Sequence, residues 1–565
     1  MTKILDILLT LYLYFYLGLF ITDYSFILSV LYKKFKFPLT AISNVTGPTI
    51  IFIFLLFLRW SLGRKSFSNS QFIRKIKKID LDDKVLILLT FIVIFLILAI
   101  LSIVRHFSLS SGASDLGIFD QAIWNTAQGD ILFSSLKGNI NLLGDHFEPI
   151  LLLIGPLYKL WPNVIVLFIL QSLLLASAIF PLYLIAKERL KERFLIFVFI
   201  ISFILSKPLR GVGLSDFHPE SFILPLLFWA YYFLVKRRNI PLFISIFFLL
   251  LCKEDVTFLV ASLGIFALIL QKRARLGISL FILGISLWFI ETKIIIPHFN
   301  LPGNFMYMNR LPFGLTYMDN IKTIINKPTL LGNLFLNKAK VEYIIKLFGP
   351  VGFLSFLSPP HYILVAVPLL RNLMPVNPNF SGWYKVTSHY TASVVPFIYI
   401  AAIYGAGRLI DKIHHKKTSL FISLIIIFSS LMFYGKTDAY KFSRFLNTMT
   451  ASHTLDKLSY LRLVPRNASV ATNFNLVPHM SHRKYIFEWN PQAKTSSIVE
   501  YIVIDKSLLG YLSRDDVNKI EPYFNNIIKL GYKQIFSSPD KTFLIFHNPN
   551  IDKSLVEKVS LISQK

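Results

Sequence analysis

Two stretches of the chain, Val85 to Val104 and Val164 to Ala186, carry no charged side chain, and each has the roughly 20 residues an α-helix needs to cross a hydrocarbon layer of ~30 Å. Such runs exclude a peripheral protein. The 54% hydrophobic and 16% charged residues, with a mean hydropathy of +0.58, exceed what a water-soluble fold of this size can hide in one core. Lipid is the expected solvent for much of the chain.

The formal charge of +28, from 59 Lys+Arg against 31 Asp+Glu, falls in short basic clusters between apolar runs. That is the pattern of cytoplasmic turns, and it argues against a nucleic-acid partner. The single cysteine, Cys252, lies inside an apolar run as a small packed hydrophobe, so neither an intrachain disulfide nor a cysteine-based metal site is available. At the start, Met1-Thr-Lys precedes an apolar stretch from Ile4 to Thr22 that lacks a small-residue cleavage site. It reads as a retained anchor.

The apolar runs predict about thirteen spans, near 4–31, 45–62, 84–104, 163–186, 194–206, 221–235, 240–252, 256–270, 277–297, 343–357, 360–370, 390–407 and 419–434. The basic turns Arg64 to Lys78, Lys187 to Arg193, Lys236 to Arg238, Lys272 to Arg275 and Arg408 to Lys417 then all face the cytoplasm. This holds on one condition: Phe147 to Trp161, apolar over roughly fifteen residues, must lie along the outer surface instead of crossing. The outer side receives 105–162, 207–220, 253–255, 298–342, 371–390 and everything after 434. Lys33, Lys34 and Lys36 run against the pattern, because the same topology places them outside.

Beyond residue 436 the runs Ala468 to Thr472, Tyr501 to Asp505 and Thr542 to Phe546 are short and β-like, separated by polar and Pro/Gly turns. The expected fold class is therefore mainly α, a polytopic helical membrane protein with a small C-terminal α/β soluble domain. Its expected parts are two N-terminal spans with a basic loop (1–83), a transmembrane domain (84–435) and an extracytoplasmic α/β domain (436–565).

The densest polar information lies in the first outer loop, in SDLGIFDQAIWN (114–125) and GDHFEP (144–149). Leu116, Phe119, Ile123 and Ala127 recur at helical spacing, which predicts an amphipathic helix lying on the membrane with Asp115 at its N-cap or first turn. A capping Asp stabilises a helix by about 1 kcal/mol and need do nothing else. Yet Asp120, Asp145, His146, Glu148, Asp216, His218, Glu220, Glu254 and Asp255 fall on the same side of the predicted topology. Ionisable groups near a membrane core are costly and usually serve function.

Asp145-His146 and the run Asp216 to Glu220 have side chains suited to a divalent cation or to proton transfer, although no HExxH-like spacing supports a metal. Hydrogen bonding and capping within the loop are the bland account of the same residues. Lys253-Glu-Asp255 puts three charges at the outer membrane edge. They suit mutual pairing with snorkelling, or binding of an anionic head group by Lys253 with Arg210, Arg371 or His389.

These residues resemble the prokaryotic membrane-protein family catalogued as domain of unknown function 2079. The resemblance is carried by SDLGIFDQAIWN (114–125), LGDHFEPILLLIGPLYKLWPN (143–163), DFHPE (216–220), LCKEDV (251–256) and SHYTASVVPFIYIAAIYG (388–405), and more weakly by PRNASVATNFNLVPHMSHR (465–483) and YIVID (501–505). It runs from about residue 85 onward and implies no assigned reaction.

More distantly, the chain is similar to the GT-C class of membrane glycosyltransferases, in which an acidic motif sits on a juxtamembrane helix in the first outer loop. That resemblance implies a GT-C-like core, a polyprenyl-phosphate sugar donor, Asp115 as the catalytic acidic residue, and Asp145 to Pro149 opening a second juxtamembrane helix. The adjacent acidic pair of that class is absent, since Leu116 follows Asp115, and the next acid is Asp120. Either Asp is thus a candidate base. Lys253, Arg210 and Arg371 are candidates to meet the leaving phosphate, with Asp145 and His146 as candidate ligands for a divalent metal.

Two other classes compete. A lipid or solute transporter would also use intramembrane charges, but it needs a midplane site open to both faces, and no inverted repeat is evident. A non-catalytic scaffold would leave the acidic loop residues without a role.

Overall fold

The computed structural model describes residues 82–300, 317–335, 337–375, 378–415, 417–434, 448–449, 452–489, 498–508, 521–552, 554 and 556. The first two predicted spans, the basic turn Arg64 to Lys78, and Lys33, Lys34 and Lys36 lie outside them.

From residue 84 onward every predicted apolar run contains helix. Asp83–Phe107 is the longest uninterrupted one; Asp82 caps it and Arg105 and His106 close its last turn. It presents Leu88, Leu89, Ile92, Val93, Leu96, Ile97 and Ile100 outward and buries Ile87, Ile94 and Leu98. Exposed aliphatic side chains along a helix of this length are explained by lipid, not water. By length and composition, three helical stretches among the described residues can cross a bilayer: Asp83–Phe107, Ile165–Arg189 and Ala274–Phe299. Arg193–Leu205 and Lys207–Leu214 make a fourth if their 44° bend is counted within one span. Pro219–Val235, Asn239–Leu250, Val256–Ile269 and Thr418–Tyr434 are apolar but shorter. Where the sequence predicts a run at 343–357, the helix Lys338–Phe348 stops and 3-10 turns follow, because Pro350 gives up a backbone donor and Gly352 takes φ +59°.

Phe147 to Trp161 folds as a short 3-10 turn, Pro149–Leu153, and a one-and-a-half-turn helix, Gly155–Leu160. Together, as Pro149–Leu160, they form another of the apolar stretches shorter than a full span.

The C-terminal unit holds a five-stranded mixed sheet in the order β4-β3-β5-β7-β6, formed by β3 (Val470–Thr472), β4 (Ile486–Glu488), β5 (Tyr501–Asp505), β6 (Lys533–Ser537) and β7 (Phe543–His547). A small antiparallel pair, β1 (Phe133–Ser134) and β2 (Ile140–Asn141), belongs to the first loop. Strand alternation gives the larger sheet two apolar faces. One packs Ala471, Ile502, Ile504, Leu544 and Phe546 on Trp489 and Ile527. The other packs Val470, Val503, Phe543 and Ile545 together with Leu109 and Ala113 of the first loop. The C-terminal unit and the loop that bears Asp115 therefore share one hydrophobic core.

Candidate functional site

The chain leaves the Asp83–Phe107 helix, turns at Ser108 to Gly112, and enters a π-helical turn, Ala113–Gly117, that runs into the helix Ile118–Gln128. Asp115 lies in that π-turn, one turn ahead of the regular helix, with its side chain 45% exposed. π-turns widen the helix locally and re-aim side chains. The partner of Asp115 arrives from the break at Ser206-Lys207-Pro208, where the Ser206 hydroxyl caps a new short helix, Lys207–Leu214. Gly211 of that helix lies against the backbone of Thr387, where a Cβ would come within 2.3 Å of the Thr387 Cα. This approach carries the 387–393 segment to the loop after Leu214.

There His218 Nε2 stands 3.2 Å from Asp115 Oδ1, while His218 Nδ1 donates to the Asp216 carbonyl at 2.8 Å. With both ring nitrogens facing acceptors, the imidazole is cationic. Burial opposes that charge, but the Asp115 carboxylate outweighs it and raises the His218 pKa to about 9. Burial likewise opposes ionised Asp115, and the His218 charge outweighs it, lowering the Asp115 pKa to about 2. His389 stacks on His218 with ring centroids 3.7 Å apart. Burial, with the His218 charge beside it, lowers its pKa to about 3, so His389 is neutral.

Behind the pair lies a set of buried charges. Glu220, 2% exposed, accepts from Lys253 and has Oε1 3.8 Å from His389 Nε2. Glu254 takes His146 Nδ1 at 2.8 Å and the Phe147 amide at 3.1 Å. Asp255 pairs with Arg371, which also donates to the Tyr390 carbonyl. Lys253 and Arg371 converge on one residue, each 5.7 Å from the Tyr390 ring centroid. Glu148, which the sequence named among the acids of the outer side without assigning it a role, joins this group with no ion pair among the described residues. Burial first, and then Glu220, raise its pKa to about 8. Glu148 Oε1, Glu220 Oε2, Asp255 Oδ1 and Glu291 Oε2 have no hydrogen-bond partner among the described residues.

The sequence-derived residues thus divide. Asp115, His218, Glu220, Lys253, His389, Glu254, Asp255, Arg371 and His146 come together. Asp216 supports them from below through Arg105 at 2.7 Å. Arg210 is directed elsewhere, donating to the Tyr434 carbonyl at 2.7 Å and stacking on its ring. Asp145 pairs with Lys137 at 2.6 Å, away from the Glu254 that holds His146. Among the described residues no group of three or more His, Cys, Asp or Glu side chains is arranged to hold a metal ion.

Asp120 is 0% exposed. It accepts from Tyr158 at 2.5 Å, from Ser481 and from His482. Gln121 beside it donates to the carbonyls of Arg483 and Lys484. The helix Ile118–Gln128 therefore does not turn its polar face to water, as an interfacial amphipathic helix would. The C-terminal unit covers that face and supplies its partners. Arg105, Tyr158, Ser481 and His482 are the residues that sequence reasoning missed. Tyr158 lay within the 143–163 motif and Ser481 and His482 within the 465–483 segment, while Arg105 carried no signal.

Helices that span lipid, capped on one side by an α/β unit and a buried polar cluster, define a polytopic membrane protein. Residues 105–538 match the family of predicted membrane proteins DUF2079, and the chain belongs to that family. No curated protein matches it. Among solved structures it is similar to the crystal structure of ArnT from Cupriavidus metallidurans bound to undecaprenyl phosphate, at 11% sequence identity, covering 81% of this chain and 98% of that one with a TM-score of 0.45.

Proposed function

We propose that the protein is a membrane glycosyltransferase of the GT-C kind that moves a sugar from a polyprenyl-phosphate donor to a hydroxyl acceptor on the extracytoplasmic side, with Asp115 as the base. The observation that carries this reading is the Asp115–His218 pair. It sets one half-exposed carboxylate at the rim of an otherwise buried charged cluster. The motif resemblance to GT-C enzymes supports it.

In this reading the acceptor oxygen forms its bond to the anomeric carbon as the bond from that carbon to the phosphate oxygen breaks. The electron pair leaves with the phosphate and the hydroxyl proton passes to Asp115. A carboxylate whose pKa is lowered to about 2 is a weak base toward a resting alcohol. It suffices here because the attacking oxygen becomes strongly acidic as its new bond forms. His218 fixes the carboxylate and keeps a positive charge beside it. Lys253 and Arg371, both beside Tyr390, face the departing anion, each already balanced by Glu220 or Asp255, so an incoming phosphate competes with those carboxylates. Arg210 has no part in this step, and Asp120 supports the helix. No step runs through a metal.

One observation favours transport as the second reading. Glu291, 1% exposed, lies in a π-turn of the Ala274–Phe299 stretch, and buried acids in spans mark ion pathways. The deciding assay follows sugar transfer from a polyprenyl-phosphate donor into membrane fractions. Asp115→Asn should reduce transfer by about 100- to 10,000-fold at unchanged expression and insertion. Substrate uptake into vesicles without any glycosyl product would favour the transporter.

A further inference from the structure

Asp120 is too enclosed to meet a substrate, but the imidazole it holds is not. His482 Nε2 lies 3.2 Å from Asp120 Oδ1 and 3.1 Å from Oδ2, and the ring is 30% exposed. Tyr158 and Ser481 donate to the same carboxylate, so its position is over-determined. A ring nitrogen facing a carboxylate carries the proton, which leaves Nδ1 of the neutral ring as a lone-pair acceptor. Among the described residues no group meets that nitrogen. This is how a carboxylate orients an imidazole for work at its other end.

What surrounds the ring suggests what it meets. The half-buried Trp124 indole lies nearly parallel to it, at 14° with centroids 6.1 Å apart. Lys484 and Asp130, exposed and paired at 3.2 Å, border the same seam between the loop and the C-terminal unit. The Lys484 ammonium lies 5.9 Å from the centroids of Phe133 and Tyr485. Aromatic faces beside a few fixed polar groups suit a ligand with C–H faces and hydroxyl edges.

We propose that His482, oriented by Asp120 and flanked by Trp124, is the hydroxyl-binding group of a carbohydrate subsite in the seam between the first loop and the C-terminal unit. A sugar hydroxyl donates to Nδ1, the C–H face of its ring rests on the indole, and Lys484 and Asp130 reach neighbouring hydroxyls. The subsite deepens the transferase reading, on which its assignment to the acceptor rests. Trp124 follows Asp115 along one helical segment, about 14 Å further on at ~1.5 Å per residue, so a saccharide held there extends toward the carboxylate.

The test uses the full chain in lipid nanodiscs, with diethylpyrocarbonate as a histidine probe and peptide mass spectrometry as the readout. His482 should label rapidly near neutral pH, in contrast to the buried His106 and His218, and hydroxylamine should reverse the label. Glucose, galactose or mannose, added as probes at rising concentration, should slow labelling of His482 severalfold without slowing that of exposed His414 or His415. Trp124→Leu should abolish this protection while His482 still labels. Unreactive His482, or labelling that none of the three sugars slows, overturns the proposal. Because the assay needs no transfer, a failure of the Asp115→Asn experiment removes the assignment to an acceptor and leaves the labelling result standing.

Discussion

Arg105 Nη1 and Asp216 Oδ1 stand 2.7 Å apart, and the second Asp216 oxygen accepts the Gly112 amide at 3.0 Å. One carboxylate thus ties the end of the first described span to the turn before Asp115 and to the loop bearing His218. Removing one partner strands the other, 19% and 8% exposed respectively, at a cost of about 3–5 kcal/mol. Arg105→Met should therefore lower the thermal midpoint in detergent well below wild type. The double variant Arg105→Met/Asp216→Asn, which removes both charges and keeps an acceptor for the Gly112 amide, should recover part of the loss, which a double-mutant cycle would measure.

The Asp115–His218 pair predicts a pH window. His218, raised from 6.5 to about 9, contributes stability that is complete below about 6.5 and is lost as pH rises through about 9. Asp115, lowered from 3.8 to about 2, contributes stability that is complete above 3.8 and is lost as pH falls through about 2. Both contributions are complete between roughly pH 4 and 6.5. Thermal midpoints across pH should fall on the alkaline side in wild type and lose that fall in His218→Gln.

Gly211→Ala places a methyl against main chain and not against a movable side-chain end. The helix Lys207–Leu214 must shift away from Thr387, at a cost of about 1–3 kcal/mol. Because that contact brings His389 to His218, the variant should also lose the transfer activity proposed above at temperatures where it remains folded. Unfolding curves and activity assays on one preparation check both outcomes.

Cys252 is buried, so a Cys252→Ser background suits single-cysteine mapping. An impermeant maleimide applied to intact spheroplasts should label Leu530→Cys in the C-terminal unit and leave Lys272→Cys unlabelled until the membrane is opened. The reverse order would place Asp115 on the cytoplasmic side.

The helical body was legible because lipid demands long apolar runs, and the runs from residue 84 onward all contain helix. Asp115, His218, Glu220 and Lys253 were legible as uncommon charges beside apolar runs. Asp120 was legible as a candidate but not in its role, because the groups that enclose it, Ser481 and His482, come from a segment no local period connects to it. Glu148 was likewise legible as one of the outer-side acids but not in its role, because its environment is set by Glu220 and Lys253, far along the chain. Strand β6 escaped notice because it is largely exposed along its length.

The core shared by Leu109 and Ala113 with Val470 and Val503 also has a consequence for biogenesis. Arg483, whose carbonyl Gln121 needs, is synthesised 362 residues later, which at ~5–20 residues per second is a delay of roughly 20 to 70 s. During that interval the first loop has no lid over its oily side. Newly made chains should therefore depend on a holding factor, and release of a nascent chain before the last strands appear should yield a loop open to proteolysis.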